Sequence, residues 1–258
     1  MSDPLDMSGR TVIVTGGSRG VGRGIAERFL EAGADVVVCG RAQPESPPAA
    51  GGRTALFTAA DVREVEQIES VVAFTRDHTG RLDVLVNNAG GAPEAAAATA
   101  SPRFSEAIIR LNLIAALNFS QQANSVMQQQ DDGGCIINIA SVSGIRPSPG
   151  TAAYGAAKAG LLSLTQTLAV EWAPKVRVNA VTAGMIRTEL SHLHYGNEDG
   201  IASVSATVPL GRMGEPRDVG DTCLYLASTL AGYVSGANVL MHGGGERPAF
   251  LAAIKNPS

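Results

Sequence analysis

The chain has 258 residues, of which 45% are hydrophobic and 17% are charged, and its formal net charge is −4. This length and apolar content supply core material for one large globular domain and exclude an intrinsically disordered chain. The small net charge and the 4% share of aromatic residues argue against nucleic-acid binding, which needs a basic surface and rings for base stacking.

The cysteines and the first residues indicate the cellular setting. Cys39, Cys135 and Cys223 are far apart and form no CxxC pair, so neither a disulfide framework nor a zinc site is predicted. Residues 1–10 contain no apolar signal-peptide core, and no uninterrupted apolar run reaches the length of a membrane span. We therefore expect a cytoplasmic protein that does not enter a membrane.

Short β-branched runs alternate with longer amphipathic stretches along the chain. The predicted strands cover residues 11–14, 35–38, 54–57, 84–86, 135–139, 176–179 and 238–240. The predicted helices cover residues 22–32, 62–79, 104–129, 152–172 and 216–227. This order predicts a doubly wound α/β fold, with a mostly parallel sheet flanked by helices and ligands at the carboxyl ends of the strands.

One crossover departs from this pattern. Residues 41–52 join the second and third predicted strands and contain three prolines, which do not fit a full helix, so we expect a loop. Neither a repeat nor a shift in composition marks a second domain. Residues 1–258 are therefore predicted to form a single domain.

A glycine-rich turn follows the first predicted strand and opens the first predicted helix. Residues 15–22 read TGGSRGVG. Glycines let the backbone turn sharply and let phosphate oxygens approach the amide groups at the positive end of a helix. At this place in a doubly wound sheet the pattern predicts a dinucleotide site. Its candidate contacts are Gly16, Ser18, Arg19, Gly20, Val21 and Gly22.

The end of the second predicted strand indicates which dinucleotide binds. A carboxylate there would bind the ribose of NAD, whereas an arginine accommodates the 2′-phosphate of NADP. The strand ends in Cys39, Gly40 and Arg41, and Arg19 adds a second cation from the glycine-rich turn. These residues favour NADP(H) over NAD(H); the alternative is that both arginines are ordinary surface residues.

Tyr154 and Lys158 are four residues apart in a predicted helix and therefore share one helix face. A cation near a phenol favours the phenolate, so we expect Lys158 to lower the pKa of Tyr154. Such a tyrosine can act as general acid when a carbonyl is reduced, and as base in the reverse reaction. Ser141, after a central strand, is a candidate to stabilise charge on the substrate oxygen, and Ser143 is the alternative.

Taken in order, these segments resemble the short-chain dehydrogenase/reductase family over nearly the whole chain. The matching segments are TGxxxGxG at 15–22, Asp61-Val62, NNAG at 87–90, Asn112, Ser141 and Tyr154-x3-Lys158. The spacing of 13 residues between Ser141 and Tyr154 also matches the family, which favours Ser141 over Ser143. Within the family, the chain is similar to the 3-oxoacyl-(acyl-carrier-protein) reductases.

The resemblance implies hydride transfer between a nicotinamide cofactor and a carbonyl or alcohol. It implies that Lys158 also holds the nicotinamide ribose and that Asn112 holds a water for proton resupply. The implied cofactor contacts are Asp61 and Val62 at the adenine, Asn88, Ala89 and Gly90 at the floor of the site, and Gly184, Ile186 and Thr188 at the carboxamide. The family usually has Pro-Gly where this chain has Ala183-Gly184, so we expect a less rigid backbone there.

Two segments are assigned to substrate and assembly. Residues 189–212 are predicted to form a variable substrate lid, in which His192 and His194 lack the further ligands that a metal site needs. Residues 246–258 form a tail whose Phe250, Leu251 and Ile254 are expected to pack on the body or at a subunit interface, a frayed tail being the alternative.

By resemblance, helices 104–129 and 152–172 pair with copies of themselves in a homotetramer, with a homodimer as the alternative. The expected substrate is a small-molecule or acyl-thioester carbonyl compound, and no metal, nucleic acid or membrane partner is predicted. A competing function is a regulatory or sensor protein that binds NAD(P) without turnover. The presence of both Tyr154 and Lys158 favours the enzyme.

Overall fold

A parallel β-sheet forms the centre of the structure, which is a computed structural model describing residues 3–250. The strands are β1 (Thr11–Thr15), β2 (Asp35–Gly40), β3 (Ala49–Ala50), β4 (Arg53–Thr54), β5 (Leu56–Ala59), β6 (Val84–Asn87), β7 (Gly134–Ser141), β8 (Val176–Ala183) and β9 (Asn238–Met241). Seven of them form the sheet in the order β5-β2-β1-β6-β7-β8-β9, with every pair parallel. β3 and β4 form a separate antiparallel hairpin.

Helices cover both faces of this sheet. They are α1 (Gly20–Glu31), α2 (Val65–Thr79), α3 (Pro102–Ile109), α4 (Ala115–Met127), α5 (Ala152–Glu171), α6 (His192–Tyr195), α7 (Glu198–Thr207) and α8 (Pro216–Ala227). Val12 and Val14 of β1 share one hydrophobic core with Phe29 of α1 and Leu224 of α8. Ile13 belongs to a second core, with residues of α2, α4 and α5. Burial on both faces explains the continuous apolar strands, and the predicted single doubly wound domain is confirmed.

The strand order places the expected ligand site. From β1 the chain moves outward to β2 and β5, and it then returns to β6 on the other side of β1. Ligands of open α/β sheets bind at such a reversal, outside the carboxyl ends of the strands. The glycine-rich turn after β1 and the NNAG segment after β6 both lie at this reversal.

Two central strands run further than predicted. β7 ends at Ser141 rather than at residue 139, and β8 ends at Ala183 rather than at residue 179. Each contains a buried asparagine that satisfies its side chain inside the protein. Asn138 donates to Thr165 Oγ1 at 2.9 Å, and Asn179 donates to the Val234 carbonyl at 2.8 Å. Because these amides are hydrogen-bonded, the buried strands accommodate them.

The third predicted strand was misplaced by two residues. β5 covers residues 56–59, and Thr54 belongs instead to the β3–β4 hairpin, which turns through Gly51 and Gly52. A Gly-Gly pair suits such a tight two-residue turn. As predicted, residues 41–52 contain no helix, and the hairpin takes the place of a crossover helix.

The predicted helix at 104–129 is also interrupted. A π-helical segment, Arg110–Ile114, separates α3 from α4, and Asn112 lies inside it. Such π-bulges frequently occur at functional sites.

The predicted lid contains α6 and α7, and Ile201 and Val208 anchor it through buried side chains. Of the predicted tail, Phe250 is described and is 66% exposed, so it does not pack on the body of this chain. Leu251 and Ile254 lie outside the described residues. Over residues 3–250, none of the helices combines the length and apolarity that crossing a membrane requires.

Candidate active site

The glycine-rich turn brings backbone amides to the start of α1. Gly16 and Gly20 have φ angles of +64° and +53°, which glycine adopts without strain. Gly22 packs so closely on the NNAG segment that a Cβ there would lie 2.4 Å from Nδ2 of Asn88. Ser18 and Val21 are half-buried beside the turn. The chain thus provides a helix N-terminus and close backbone approach, which fit the pyrophosphate of a dinucleotide.

The NNAG segment is fixed to the same turn by hydrogen bonds. Thr15 Oγ1 accepts from the backbone amides of Asn88 and Ala89, each at 2.9 Å. The Asn88 side chain donates back to the Thr15 carbonyl at 2.9 Å. The predicted contacts after β1 and after β6 therefore form one rigid surface.

A network of buried polar side chains is hydrogen-bonded to the NNAG segment. This network was not predicted from the sequence. Asn87 donates to Asn138 Oδ1 and to Ser120 Oγ, each at 2.9 Å. Asn138 continues the network to Thr165 of α5. The only signal in the sequence was the presence of asparagines inside apolar strand runs.

Several charged side chains gather where β2 and β5 end. Arg41 is exposed, and Gly40 lies beside Ser18, whose Oγ would be 3.6 Å from a Cβ on Gly40. Asp61 accepts from Arg63 Nε at 2.9 Å. Chiefly because of the hydrogen bond from Arg63, with a smaller contribution from Arg41, the pKa of Asp61 is lowered to about 2.

Arg63 was missed in the sequence because no motif marks it. Val62, next to it, is buried, whereas Arg19, in the glycine-rich turn, is exposed. Neither Arg19 nor Arg41 forms an ion pair with a carboxylate among the residues that the structure describes. Both guanidinium groups are therefore open to an anionic ligand.

Ser141, Tyr154 and Lys158 meet at the carboxyl end of β7. Ser141 is the last residue of β7, and its hydroxyl lies close enough to that of Tyr154, in the first turn of α5, to form a side-chain hydrogen bond that lowers the pKa of the phenol. Lys158 follows one turn later, with Nζ 5.6 Å from the centroid of the Tyr154 ring. Ser143 bonds instead to Ser148 Oγ at 3.0 Å. The geometry thus places Ser141, and not Ser143, next to the phenol.

The expected lowering of the Tyr154 pKa is not found. Burial raises the pKa of the Tyr154 phenol, and the hydrogen bond with Ser141 opposes this rise. Lys158 is itself buried, its Nζ donates to the Ile139 carbonyl at 2.7 Å, and burial lowers its pKa to about 8. For the pKa of Tyr154, burial therefore has a larger effect than the positive charge of Lys158, on which the prediction from the sequence was based.

Asn112 lies next to Lys158 but uses its side chain to brace the backbone. Oδ1 accepts from the Gly91 amide at 2.8 Å, and Nδ2 donates to the carbonyls of Gly91 and Ile108 at 3.0 and 2.9 Å. A Cβ on Gly90 would lie 2.6 Å from Asn112 Oδ1 and 3.4 Å from Lys158 Nζ. These distances bring Gly90, Asn112 and Lys158 together.

The segment after β8 completes the site. Ala183 pairs with Ser141 of β7 and with Met241 of β9, so strand pairing on both sides holds the position where the family usually has proline. Gly184 donates to the Met241 carbonyl at 2.9 Å, and Ile186 bridges to Gly214. The loosening that the missing proline predicts is therefore offset by the sheet.

At the end of this segment, Thr188 and Glu189 reach back to the start of α1. The side chain of Thr188 lies 3.7 Å from the position of a Cβ on Gly20. Oε1 of Glu189 accepts from the Gly20 amide at 3.1 Å. Glu189 was not predicted as a site residue, and its position follows from the fold rather than from a motif.

Two cavities lie near Ser141 and Tyr154. The first, of about 280 Å³, is bordered by Tyr154 and lined by apolar side chains that include Phe104 and Ile108. The second, of about 220 Å³, begins at Val142, directly after Ser141, and includes Met185 and His242. Within residues 3–250, no group of three or more His, Cys, Asp or Glu side chains is arranged to hold a metal ion.

A glycine-rich helix N-terminus next to a serine and a tyrosine is typical of oxidoreductases that use a dinucleotide. Comparisons with known proteins agree with this class. The family model described as enoyl-(acyl carrier protein) reductase matches residues 16–246. The 3-oxoacyl-(acyl-carrier-protein) reductase FabG of Vibrio harveyi is 35% identical over 93% of this chain and 98% of its own. The 3alpha-hydroxysteroid dehydrogenase of Mediterraneibacter gnavus is 34% identical over 89% of this chain and 94% of its own.

The fold comparison gives the same result. The ligand-free aldohexose dehydrogenase of Thermoplasma acidophilum superposes with a TM-score of 0.88 at 29% identity, covering 98% of this chain and 99% of the other. The chain belongs to the short-chain dehydrogenase/reductase family. It is therefore an oxidoreductase of a family that acts on CH–OH and C=O groups with a nicotinamide cofactor, and a purely regulatory function is not favoured.

Proposed function

We propose that this protein is an NADPH-dependent carbonyl reductase. The observation that carries the proposal is the meeting of Ser141, Tyr154 and Lys158 at the carboxyl end of β7, beside a glycine-rich helix N-terminus. A general acid, a polarising hydroxyl and a cofactor cradle are the parts that carbonyl reduction requires. The three site residues were named from the sequence, and their proximity supports these roles.

In the proposed mechanism, the bound nicotinamide supplies the hydride. Ser141 donates a hydrogen bond to the carbonyl oxygen, where negative charge develops, and Tyr154 transfers its phenolic proton to that oxygen. Since burial raises the pKa of Tyr154, the phenol keeps its proton at neutral pH, which suits the direction of reduction. One hydride and one proton convert the carbonyl to an alcohol.

Lys158 and Asn112 are proposed to support the proton transfer from Tyr154. Lys158 lies within reach of both the phenol and Gly90, so it is positioned to hold the ribose and to return a proton to Tyr154. Both amide hydrogens of Asn112 are already bonded to backbone carbonyls. A water held at Asn112 would therefore use an oxygen acceptor of this residue and not its amide hydrogens.

The preference for NADPH rests on Arg19, Arg41 and Gly40. Both arginines are exposed, and the end of β2 carries no carboxylate that would repel a phosphate. The proposed adenine contacts, Asp61 and Val62, follow β5 on the same edge of the sheet.

The remaining parts of the proposal concern setting and assembly. Residues 189–212 cover the substrate as a lid, and the protein is a cytoplasmic homotetramer. Three free, buried cysteines suit a reducing compartment, and Val170 on α5 is 80% exposed, as an apolar interface residue in an isolated chain would be. Light scattering of the full chain measures the number of subunits.

The test of the function is a kinetic screen. Purified protein is assayed for loss of NADPH or NADH absorbance with 3-oxoacyl thioesters, ketosteroids, aldoses and quinones. We expect turnover of at least one carbonyl compound, with higher kcat/KM for NADPH. Tight cofactor binding without turnover of any compound would contradict the proposed reductase function and support the alternative function as a sensor.

A further inference from the structure

The second cavity holds a charged pair that the proposed reaction does not use. Its apolar part is formed by Val142, Ile145 and Met185, and its polar part by Arg146, His242 and Glu246. Arg146 is five residues after Ser141, and Glu246 follows β9 at the start of the predicted tail.

Arg146 and Glu246 neutralise each other across the cavity. Nη2 of Arg146 donates to Oε1 of Glu246, and the two side chains are 38% and 39% exposed. Nη1 of Arg146 donates to the Pro147 carbonyl at 2.9 Å, which fixes the guanidinium. Among the described residues that line this cavity, these two are the formally charged ones, and their charges balance.

The lid contacts the segment that carries Glu246. The Leu210 amide, at the end of the lid, donates to the Gly243 carbonyl at 3.0 Å, three residues before Glu246. Tyr195, also in the lid, lies close enough for Arg146 to lower its pKa and for Glu246 to raise it, while burial raises it most. The segment that carries Glu246 is therefore hydrogen-bonded to the lid, and Tyr195 of the lid lies near the Arg146–Glu246 pair.

We propose that this cavity binds the part of the substrate next to the reacting carbonyl, and that the Arg146–Glu246 pair selects substrates in which that part is uncharged. An anionic group entering the cavity would meet a guanidinium that is already neutralised, and it would lie beside the like-charged carboxylate of Glu246. In a half-enclosed cavity this repulsion is screened less than in bulk water. The inference rests on the proposed function, because it presupposes a carbonyl substrate.

The test compares oxo acids with their ethyl esters, such as acetoacetate with ethyl acetoacetate and levulinate with ethyl levulinate. The measured quantity is the ratio of kcat/KM for the acid to kcat/KM for the ester. Wild-type protein should prefer the esters. Glu246→Gln leaves Arg146 unbalanced and should raise the ratio at least about fivefold, whereas Arg146→Gln should lower it.

Two further variants control for general damage. The charge swap, Arg146→Glu with Glu246→Arg, restores neutrality and should return the ratio towards the wild-type value. Glu31→Gln removes the same charge from another ion pair, with Arg217 at 2.8 Å on α1 and α8, and should leave the ratio unchanged.

The outcomes separate the inference from the proposed function. An unchanged ratio in both single variants, or a wild-type preference for the acids, overturns the inference and leaves carbonyl reduction standing. If neither the esters nor other uncharged ketones, aldehydes and aldoses are turned over, the proposed function fails, and the inference fails with it.

Discussion

At the scale of single residues, Lys158 combines a proposed function with a cost in stability. Its ammonium is buried, and its hydrogen bond to the Ile139 carbonyl brings no counter-charge. Burial lowers its pKa from the usual 10.5 to about 8. Folding therefore disfavours the protonated form of this residue, as is common for groups kept for chemistry.

Because the buried charge of Lys158 destabilises the folded state, Lys158→Met should raise the free energy of unfolding at pH 7 by about 1–3 kcal/mol. The same substitution should abolish turnover, because it removes the ammonium group that is proposed to act on Tyr154. The folded pKa lies below the unfolded one, so the penalty is complete below pH 8 and disappears as pH rises towards 10.5. Urea unfolding at pH 7 and pH 10 should show the stability difference between variant and wild type shrinking. Lys175→Met, at an exposed lysine, is the control; an equal difference for Lys158→Met at both pH values contradicts the prediction.

A second residue-scale prediction concerns Gly40 and the cofactor. A Cβ on Gly40 meets only ordinary contacts, with Ser18 Oγ at 3.6 Å and Phe57 at 4.0 Å, so Gly40→Asp fits without strain. Its carboxylate would repel a 2′-phosphate and accept from ribose hydroxyls. We expect the ratio of kcat/KM for NADPH to that for NADH to fall at least about tenfold. Gly40→Asn, with no charge, is the matched control, and an equal fall in both variants would remove the electrostatic explanation.

At the scale of elements, the N-terminus of α1 is shared between two candidate partners. It faces the proposed pyrophosphate site, yet the Gly20 amide already donates to Glu189 at the start of the lid. Both acceptors are negative, and both are favoured by the positive end of the helix. A dinucleotide bound as we propose would therefore compete with Glu189 for this amide.

This competition predicts that Glu189→Gln strengthens NADPH binding. Removing the negative charge should lower the dissociation constant about two- to fivefold, measured by NADPH fluorescence at low salt. The gain should shrink as salt is added. Glu198→Gln, which removes a lid carboxylate paired with Arg187 at 2.8 Å, is the control. Weaker binding in Glu189→Gln would mean that the carboxylate helps to hold the cofactor.

The helices and strands also show which features of the fold and the site could be predicted from the sequence. Continuous apolar strands and their alternation with helices predicted the doubly wound sheet, and the motif residues of the site lie together as their order implied. The break at Asn112 was missed, because it involves a buried amide that binds the Gly91 backbone, which is distant in the sequence. Glu189 and Glu246 were missed for the same reason: tertiary contacts, not motifs, bring them to the site.

At the scale of the whole molecule, all the proposed parts converge on the carboxyl edge of one sheet. The glycine-rich turn follows β1, the NNAG segment follows β6, Ser141 ends β7 and Gly184 follows β8. One cavity is bordered by Tyr154, and the other begins at Val142, directly after Ser141. We expect a carbonyl compound held by these two hydroxyls to extend into these cavities.

The most direct measurement compares NADPH-dependent carbonyl reduction and NADPH binding in wild type, Tyr154→Phe and, as control, Tyr225→Phe on the exposed side of α8. Tyr154→Phe keeps the ring but removes the proton that the mechanism transfers. We predict that it lowers kcat at least about a hundredfold while the NADPH dissociation constant stays within about threefold of wild type, and that Tyr225→Phe changes neither. A Tyr154→Phe variant that keeps more than about a tenth of the wild-type kcat would contradict the assignment of Tyr154 as the proton donor.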